Sequence, residues 1–288
     1  MPSKVVTKQR FGNSTMNEQH SDFPVLMRIR DEVLRKSRGA VRLREELPVL
    51  IKNAVDFVID PVRTGRTAIT DLDKVEKTFI GLKIEHYLRD WLDVPKGLSR
   101  DLQIDGFEVD IKNTIGSTWM IPPETYRDEE PCLLIATAKF DGRCWLGLVL
   151  ARDGYLGMQN RDGKRSITEA GRRNIMWLVE DQPYPASRWA GMDMLRFREL
   201  RNVKGGTKRA GQFFRENIGR VVHRSILQAL LHDQRDYMKR VRGNGGARDD
   251  LRDEGIELLS GAYDRKRATS AGIELERDEF LAIKISKD

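Results

Sequence analysis

In the run SRDLQIDGFEVDIKNT, residues 99–114, acids and a lysine recur at the spacing that a pleated strand turns to one side. Successive strand side chains face opposite ways, so Phe107, Val109 and Ile111 share one face while Glu108, Asp110 and Lys112 share the other. Hydrolysis of a phosphodiester needs hard oxygen ligands for Mg²⁺, a positioned water, and a cation beside the phosphate as charge develops on it. Asp110 suits the metal. Lys112, one pleat along, suits the water and the scissile phosphate. Asp101 adds a second carboxylate from the adjoining strand, and Glu108 competes as a ligand on the face of Asp110. The same alternation also describes the solvent face of an ordinary amphipathic hairpin.

The elements around this run must position it. Apolar spacing predicts helices near residues 24–37 and 42–58, then a loop rich in Thr, Gly and Pro. Asp71 or Asp73 is placed to cap a long helix running to about Trp91, with a stripe of Val75, Phe79, Leu82, Leu88 and Leu92. Glu85 falls three residues after Leu82 and three before Leu88, inside that stripe, where a carboxylate needs a metal, a lysine or a structural ion pair. Pro95 and Gly97 end the helix. Asp105-Gly106 marks a hairpin, and a second pair of strands, Cys132–Lys139 and Cys144–Ala151, flanks Asp141-Gly142. A tight turn there sets Cys132 opposite Ala151 and Cys144 opposite Lys139. This half reads as mixed α/β.

The 288 residues favour two domains. Lys and Arg outnumber Asp and Glu by 51 to 44, and a pI near 9.4 points to a polyanionic partner. Two cysteines make no disulfide framework or zinc spacing, which fits a reducing interior, and no apolar run approaches a membrane span or an export signal. The four histidines form no ligand pair, and no covalent-catalysis motif accompanies the serines. Trp119, Trp145, Trp177 and Trp189 are too scattered for a base-stacking platform and are expected in cores.

The expected organisation is a flexible arm over residues 1–22, a first domain over 23–180, a linker over 181–193 (DQPYPASRWAGMD), and a second domain over 194–288. Residues 201–250 hold twelve Lys or Arg against five Asp or Glu, an excess equal to the whole chain's +7. Thr207–Asn217 and Val221–Asp233 are expected as two short helices about Ile218-Gly219, compatible with a helix-turn-helix in a mainly helical, winged-helix-like domain. Lys208, Arg209, Arg215, Arg220 and Arg224 lie on those helices, with Arg220 and Arg224 as candidate base readers. In RGNGGAR (242–248), backbone amides could approach a phosphate between Arg242 and Arg248, with Lys239 and Arg240 just before.

Taken together, Glu85, Asp101, Asp110 and Lys112 resemble, in order, the catalytic set of the NaeI-type restriction endonucleases of the PD-(D/E)xK superfamily. STWMIPPE (117–124) is similar to the family's segment after its catalytic lysine, and RDYMKRVRGNGGARDDLRDEGI (235–256) to its second domain, so the likeness runs from about Leu72 to the end. It implies a restriction-endonuclease-like mixed sheet flanked by helices. It also implies a Mg²⁺ site of Glu85, Asp101, Asp110 and the Ile111 backbone carbonyl. The enzyme would be a homodimeric type II endonuclease of the bacterial cell interior, cutting double-stranded DNA. Its second domain, with a helix-turn-helix similar to that of the catabolite activator, would bind a further DNA site and activate cleavage. A repair nickase of the same superfamily and a non-catalytic DNA-binding regulator are the alternatives.

Overall fold

The computed structural model describes Phe11 and residues 16–138, 142–270 and 272–285. Two compact units emerge: the chain up to Ile59 with Ile69–Ser187, and Asp60–Ala68 with the chain from Arg188. The chain crosses between them after Ile59, after Ala68 and after Ser187, the last inside the proline-rich segment. The first residues of that segment extend the last strand of one core, whereas Trp189 and Met192 are buried in the other.

In the first unit, α1 (Phe23–Lys36), α2 (Ala40–Ile59) and α4 (Lys74–Leu92) cover one face of a mixed sheet; α3 (Pro61–Thr64) belongs to the second unit. The sheet comprises β1 (Leu102–Ile104), β2 (Phe107–Thr114), β4 (Pro131–Thr137), β5 (Arg143–Leu150) and β8 (Met176–Pro183), hydrogen-bonded in that order. Only β2 and β4 run parallel. A parallel pair needs a crossover, and here it contains β3 (Met120–Ile121) and α5 (Pro123–Arg127). Alternation sorts the two faces. Val109, Ile111, Leu133, Ile135, Leu146 and Leu148 meet the helices, while Cys132, Leu134, Trp145 and Val149 face a second core with Trp119 and Ile121. Beside that core, β6 (Leu156–Gln159) and β7 (Arg165–Ile167) form a hairpin that joins β3 in a three-stranded sheet, followed by α6 (Glu169–Arg173).

Asp73 caps α4 through a capping box: Glu76 N–H donates to Asp73 at 2.8 Å, and Asp73 N–H donates back to the Glu76 carboxylate at 2.8 Å. The buried line of α4 is Ile80, Ile84, Leu88 and Leu92, so Leu88 and Leu92 are buried as expected, whereas Val75, Phe79 and Leu82 are exposed and Ile80 and Ile84 take their place. Steps of four hold one helix face better than the steps of three read from Leu82 to Leu88. Asp105 and Gly106 both have positive φ, 49° and 81°, the conformation of a two-residue hairpin turn matched to strand twist. Between β4 and β5, Cys132 lies opposite Val149 and Cys144 opposite Thr137, two residues from the expected register. A shift of two preserves strand parity, so the faces stay as read. Lys139 and Asp141 lie outside the described residues.

Most of the expected arm also lies outside them. Phe11, 2% exposed, sits among Trp119, Trp145 and Trp177, and buried Asp22 accepts from Arg152 and the Tyr155 hydroxyl. These parts of the first 22 residues are fastened to the core rather than free.

In the second unit, α7 (Met194–Arg201), α8 (Gly206–Glu216), β9 (Val221–His223), α9 (Arg224–Leu230), α10 (Ala247–Asp253), β10 (Ile256–Ser260), α11 (Arg265–Ser270) and β11 (Glu279–Lys284) follow in order. The strands form an antiparallel sheet ordered β10-β11-β9, a small addition to a unit that is otherwise mainly helical, as expected. The expected helix over Val221–Asp233 is corrected, because its first three residues are a strand. Two adjacent valines favour a pleated surface, and Val222 pairs with Phe280.

Among the described residues, no helix is long and apolar enough to cross a membrane.

Candidate active site

The catalytic-type residues converge where β1 stops short. Because β1 is only three residues long, Ile111 N–H has no strand partner beyond it and donates instead to the Asp101 carboxylate at 2.8 Å. This fixes Asp101 beside Asp110. Asp110 itself is only 4% exposed, which removes the reading of this face as a solvated edge. Its two oxygens are held from opposite sides: Lys112 Nζ donates to Oδ1 at 2.5 Å, and the Thr125 hydroxyl donates to Oδ2 at 2.5 Å. Lys112 Nζ also lies 3.1 Å from the Ile111 carbonyl oxygen. The sequence reading missed Thr125. It is delivered by the crossover helix α5, and only the three-dimensional path of that crossover identifies it.

Glu85 joins from α4. Burial first, then the charge of Asp101, push its carboxyl up to about 7, with Asp110 adding and Lys112 opposing. Burial also raises Asp101 above its ordinary value, as does its neighbour Asp110. Carboxylates crowded in this way favour a cation among them. Among the described residues, no three His, Cys, Asp or Glu side chains are grouped so as to hold a metal ion on their own. The fit to Mg²⁺ therefore rests on Asp101, Asp110 and the Ile111 carbonyl, with Glu85 close by. Mg²⁺ commonly takes one or two carboxylates and keeps waters for its remaining positions, so this oxygen set suits it.

Glu108, read as a competing ligand, is committed elsewhere. It accepts from the backbone N–H groups of Leu98, Ser99 and Arg100, each at 2.9 Å, and the Ser99 and Leu98 amides hold its carboxyl below the usual range. Gly97 permits this clamp, since a Cβ there would lie 2.5 Å from Glu108 Oε2. Behind the same loop, buried Arg100 pairs with Glu130 and Asp128. Glu108 thus fixes the segment leading into Asp101. Glu108→Ala is expected to slow cleavage by about tenfold through loss of that positioning, measured as a single-turnover rate, while Glu108→Gln recovers part of it. An unchanged rate would show that the loop holds without the clamp.

The basic residues of the second unit separate into two groups. Arg209 is 3% exposed, bonded to Asp233 at 2.6 Å and to the carbonyls of Val203 and Leu230 at 3.0 Å. Arg215 forks onto Glu254, Arg220 donates to the carbonyls of Ala190 and Gly191, and Arg240 donates to Gln234. Lys208 and Lys239 are exposed. Arg224, Arg242 and Arg248 line an open cavity of about 420 Å³, joined by Arg277 and Tyr263, which the sequence reading missed. Arg242 and Arg277 have no side-chain partner among the described residues, and Arg248 Nε is buried without one. The loop before α10 differs from expectation: its Gly245 amide is taken by Asp249 at 2.8 Å. Arg209→Met is expected to cost about 2 kcal/mol of stability by stranding buried carbonyls, read by chemical denaturation. The salt dependence of DNA affinity should not change.

Most of the chain matches a known family. The family described as Restriction endonuclease NaeI matches residues 44–288. The chain belongs to the NaeI restriction endonuclease family. It is also 33% identical over 250 residues to the Type II restriction enzyme NaeI of Lentzea aerocolonigenes, a match covering 79% of this chain and 74% of that protein. The family match begins 28 residues before Leu72, where the likeness became legible in sequence, and so takes in most of α2. It spans the four site residues and the arginine cavity alike.

Proposed function

We propose that this chain is a Mg²⁺-dependent type II site-specific endonuclease that hydrolyses double-stranded DNA at the Glu85, Asp101, Asp110 and Lys112 site. The observation that carries this reading is the buried Asp110, gripped by Lys112 and Thr125 and set beside Asp101 at the interrupted edge of β2. A bound Mg²⁺ would supply Lewis-acid stabilisation of the phosphate and lower the pKa of water. Asp101, Asp110 and the Ile111 carbonyl would hold it, with Glu85 completing the acidic surround. Thr125 and the Ile111 amide keep the two aspartates from rotating. The Lys112 ammonium is placed to orient the attacking water and to offset charge on the phosphate. Water adds to phosphorus as the bond to one sugar oxygen breaks, leaving a phosphate and a hydroxyl end.

Each chain carries one such site, so a symmetric pair would cut both strands of a duplex. The arginine cavity supports a second DNA-binding surface. The order of the second unit, α8, β9, α9, α10, β10, α11, β11, supports a winged helix with α11 inserted between its last two strands, in which α9 and α10, rather than the expected α8 and α9, would be the helix-turn-helix. Occupation of this surface would activate cleavage, and the enzyme would act inside a bacterial cell.

Methylation-free plasmid and phage DNAs, including substrates with several sites, should give discrete double-strand fragments with Mg²⁺ and none with a chelator. Tight binding without cutting under any divalent metal would defeat the nuclease reading and favour a regulator. Nicked circles as the end product would favour a nickase.

A further inference from the structure

The hairpin of β6 and β7 has no role in the chemistry described above, yet it is tied to the catalytic aspartate. In α5, Thr125 bonds Asp110 while the next residue, Tyr126, turns to the hairpin. The Tyr126 hydroxyl donates to the Gly163 carbonyl at 3.1 Å and accepts from Gln159 Nε2 at 2.7 Å, and the Arg165 guanidinium lies 5.3 Å from its ring centre. Arg165 also donates to the Gly157 carbonyl at 2.6 Å, and to Asp153. The hairpin is thus seated on the helix that fixes Asp110.

Its tip is fixed by its own bonds. Asn160 Oδ1 accepts from the amides of Asp162 and Lys164 at 3.0 and 2.9 Å, and Gly163 N–H donates to the Asn160 carbonyl at 3.0 Å with φ +74°. What the tip displays is unspent. Met158 is 93% exposed, and exposed Arg161 and Lys164 have no side-chain partner among the described residues. A rigid turn that holds a large thioether and two unpaired cations in water gains nothing for the fold, but it binds at low ordering cost. The major groove of B-DNA admits a two-stranded β-ribbon, an arginine suits guanine's O6 and N7, and an apolar side chain suits the thymine methyl.

We infer that the β6–β7 hairpin is the sequence reader of the cleavage reaction: it enters the major groove, contacts base edges through Arg161 and Met158, and is linked to Asp110 through Tyr126 and Thr125. This rests on the nuclease reading above. Tyr126 is a positioning residue that touches neither base nor phosphate.

The test uses the full-length protein with Mg²⁺ on a library of randomised duplexes, sequenced at the cut ends. Arg161→Ala and Met158→Ala are expected to keep the wild-type Tm, slow cutting at the preferred sequence, and relax at least one of its positions by about tenfold. Tyr126→Phe should keep the same preferred sequence but narrow the rate gap between it and single mismatches by about tenfold, again without loss of Tm. An unchanged preference in both tip variants overturns the inference, whether rates fall uniformly, as for a phosphate contact, or oligomeric mass changes, as for a subunit contact. Absence of metal-dependent cutting by the wild type would instead sink the nuclease reading itself.

Discussion

Asp110→Asn is expected to lower single-turnover DNA cleavage by roughly 10³-fold or more. The substitution preserves shape and removes charge, at a residue whose two oxygens serve several partners. Wild-type Oδ1 accepts from Lys112 and Oδ2 from Thr125, so the carboxylate anchors both neighbours while offering lone pairs to a cation. An amide keeps one acceptor oxygen for Lys112 and sets its NH2 toward the Thr125 hydroxyl, which can turn to accept it, so the local bonds survive while the charge is lost. It therefore loses the anionic ligand and weakens the hold on Lys112. Lys112→Ala should fall by about 10²-fold, because it removes the cation beside the phosphate but leaves the aspartates in place. Affinity for DNA in chelator should hold or rise in Asp110→Asn, since a negative charge facing phosphate is gone. Comparable cleavage by wild type and Asp110→Asn would remove this aspartate from the chemistry.

Strand parity made much of this site legible. Alternation alone separated Val109 and Ile111 from Asp110 and Lys112, and the positive-φ turn at Asp105-Gly106 fixed the register. A period-two rule is strict, so even the two-residue error between β4 and β5 left every face correct. Helix faces were less forgiving. The apolar residues of α4 occur on more than one side, and choosing Leu82 over Ile80 and Ile84 misplaced the stripe, although Glu85 does lie half-buried against the aspartates. Composition located the basic surface but could not rank its members. Arg209 and Arg242 look alike in sequence, yet one is spent on Asp233 and two carbonyls while the other faces a cavity. Thr125 and Glu108 depended on long-range approach: a crossover brings one to Asp110, and a glycine lets the other cap a loop. Neither relation has a local signature.

Glu85→Gln should move stability and activity in opposite directions. Burial and the charge of Asp101 hold the Glu85 carboxyl near 7 against an ordinary value of 4.5, so the metal-free fold favours the protonated form. For an acid raised on folding, that contribution is fully present below about pH 4.5 and is lost as pH rises through about 7. Glutamine is neutral throughout and should escape this loss. In chelator, the two proteins should have similar Tm near pH 4.5. By pH 8 the variant should be more stable by about 2 kcal/mol, a value reduced for partial solvent screening, or roughly 4–8 °C. Asp101 is also raised, so the variant retains some downward slope even with Glu85 replaced. Added Mg²⁺ should close the gap, because a cation relieves the crowding that glutamine merely avoids, and the wild type should gain more Tm from it than the variant. Cleavage, meanwhile, should fall by about 10²-fold as the acidic surround loses a charge. A Tm difference independent of pH between 4.5 and 8 would mean that Glu85 is not crowded by the aspartates, and its place in the site would have to be given up.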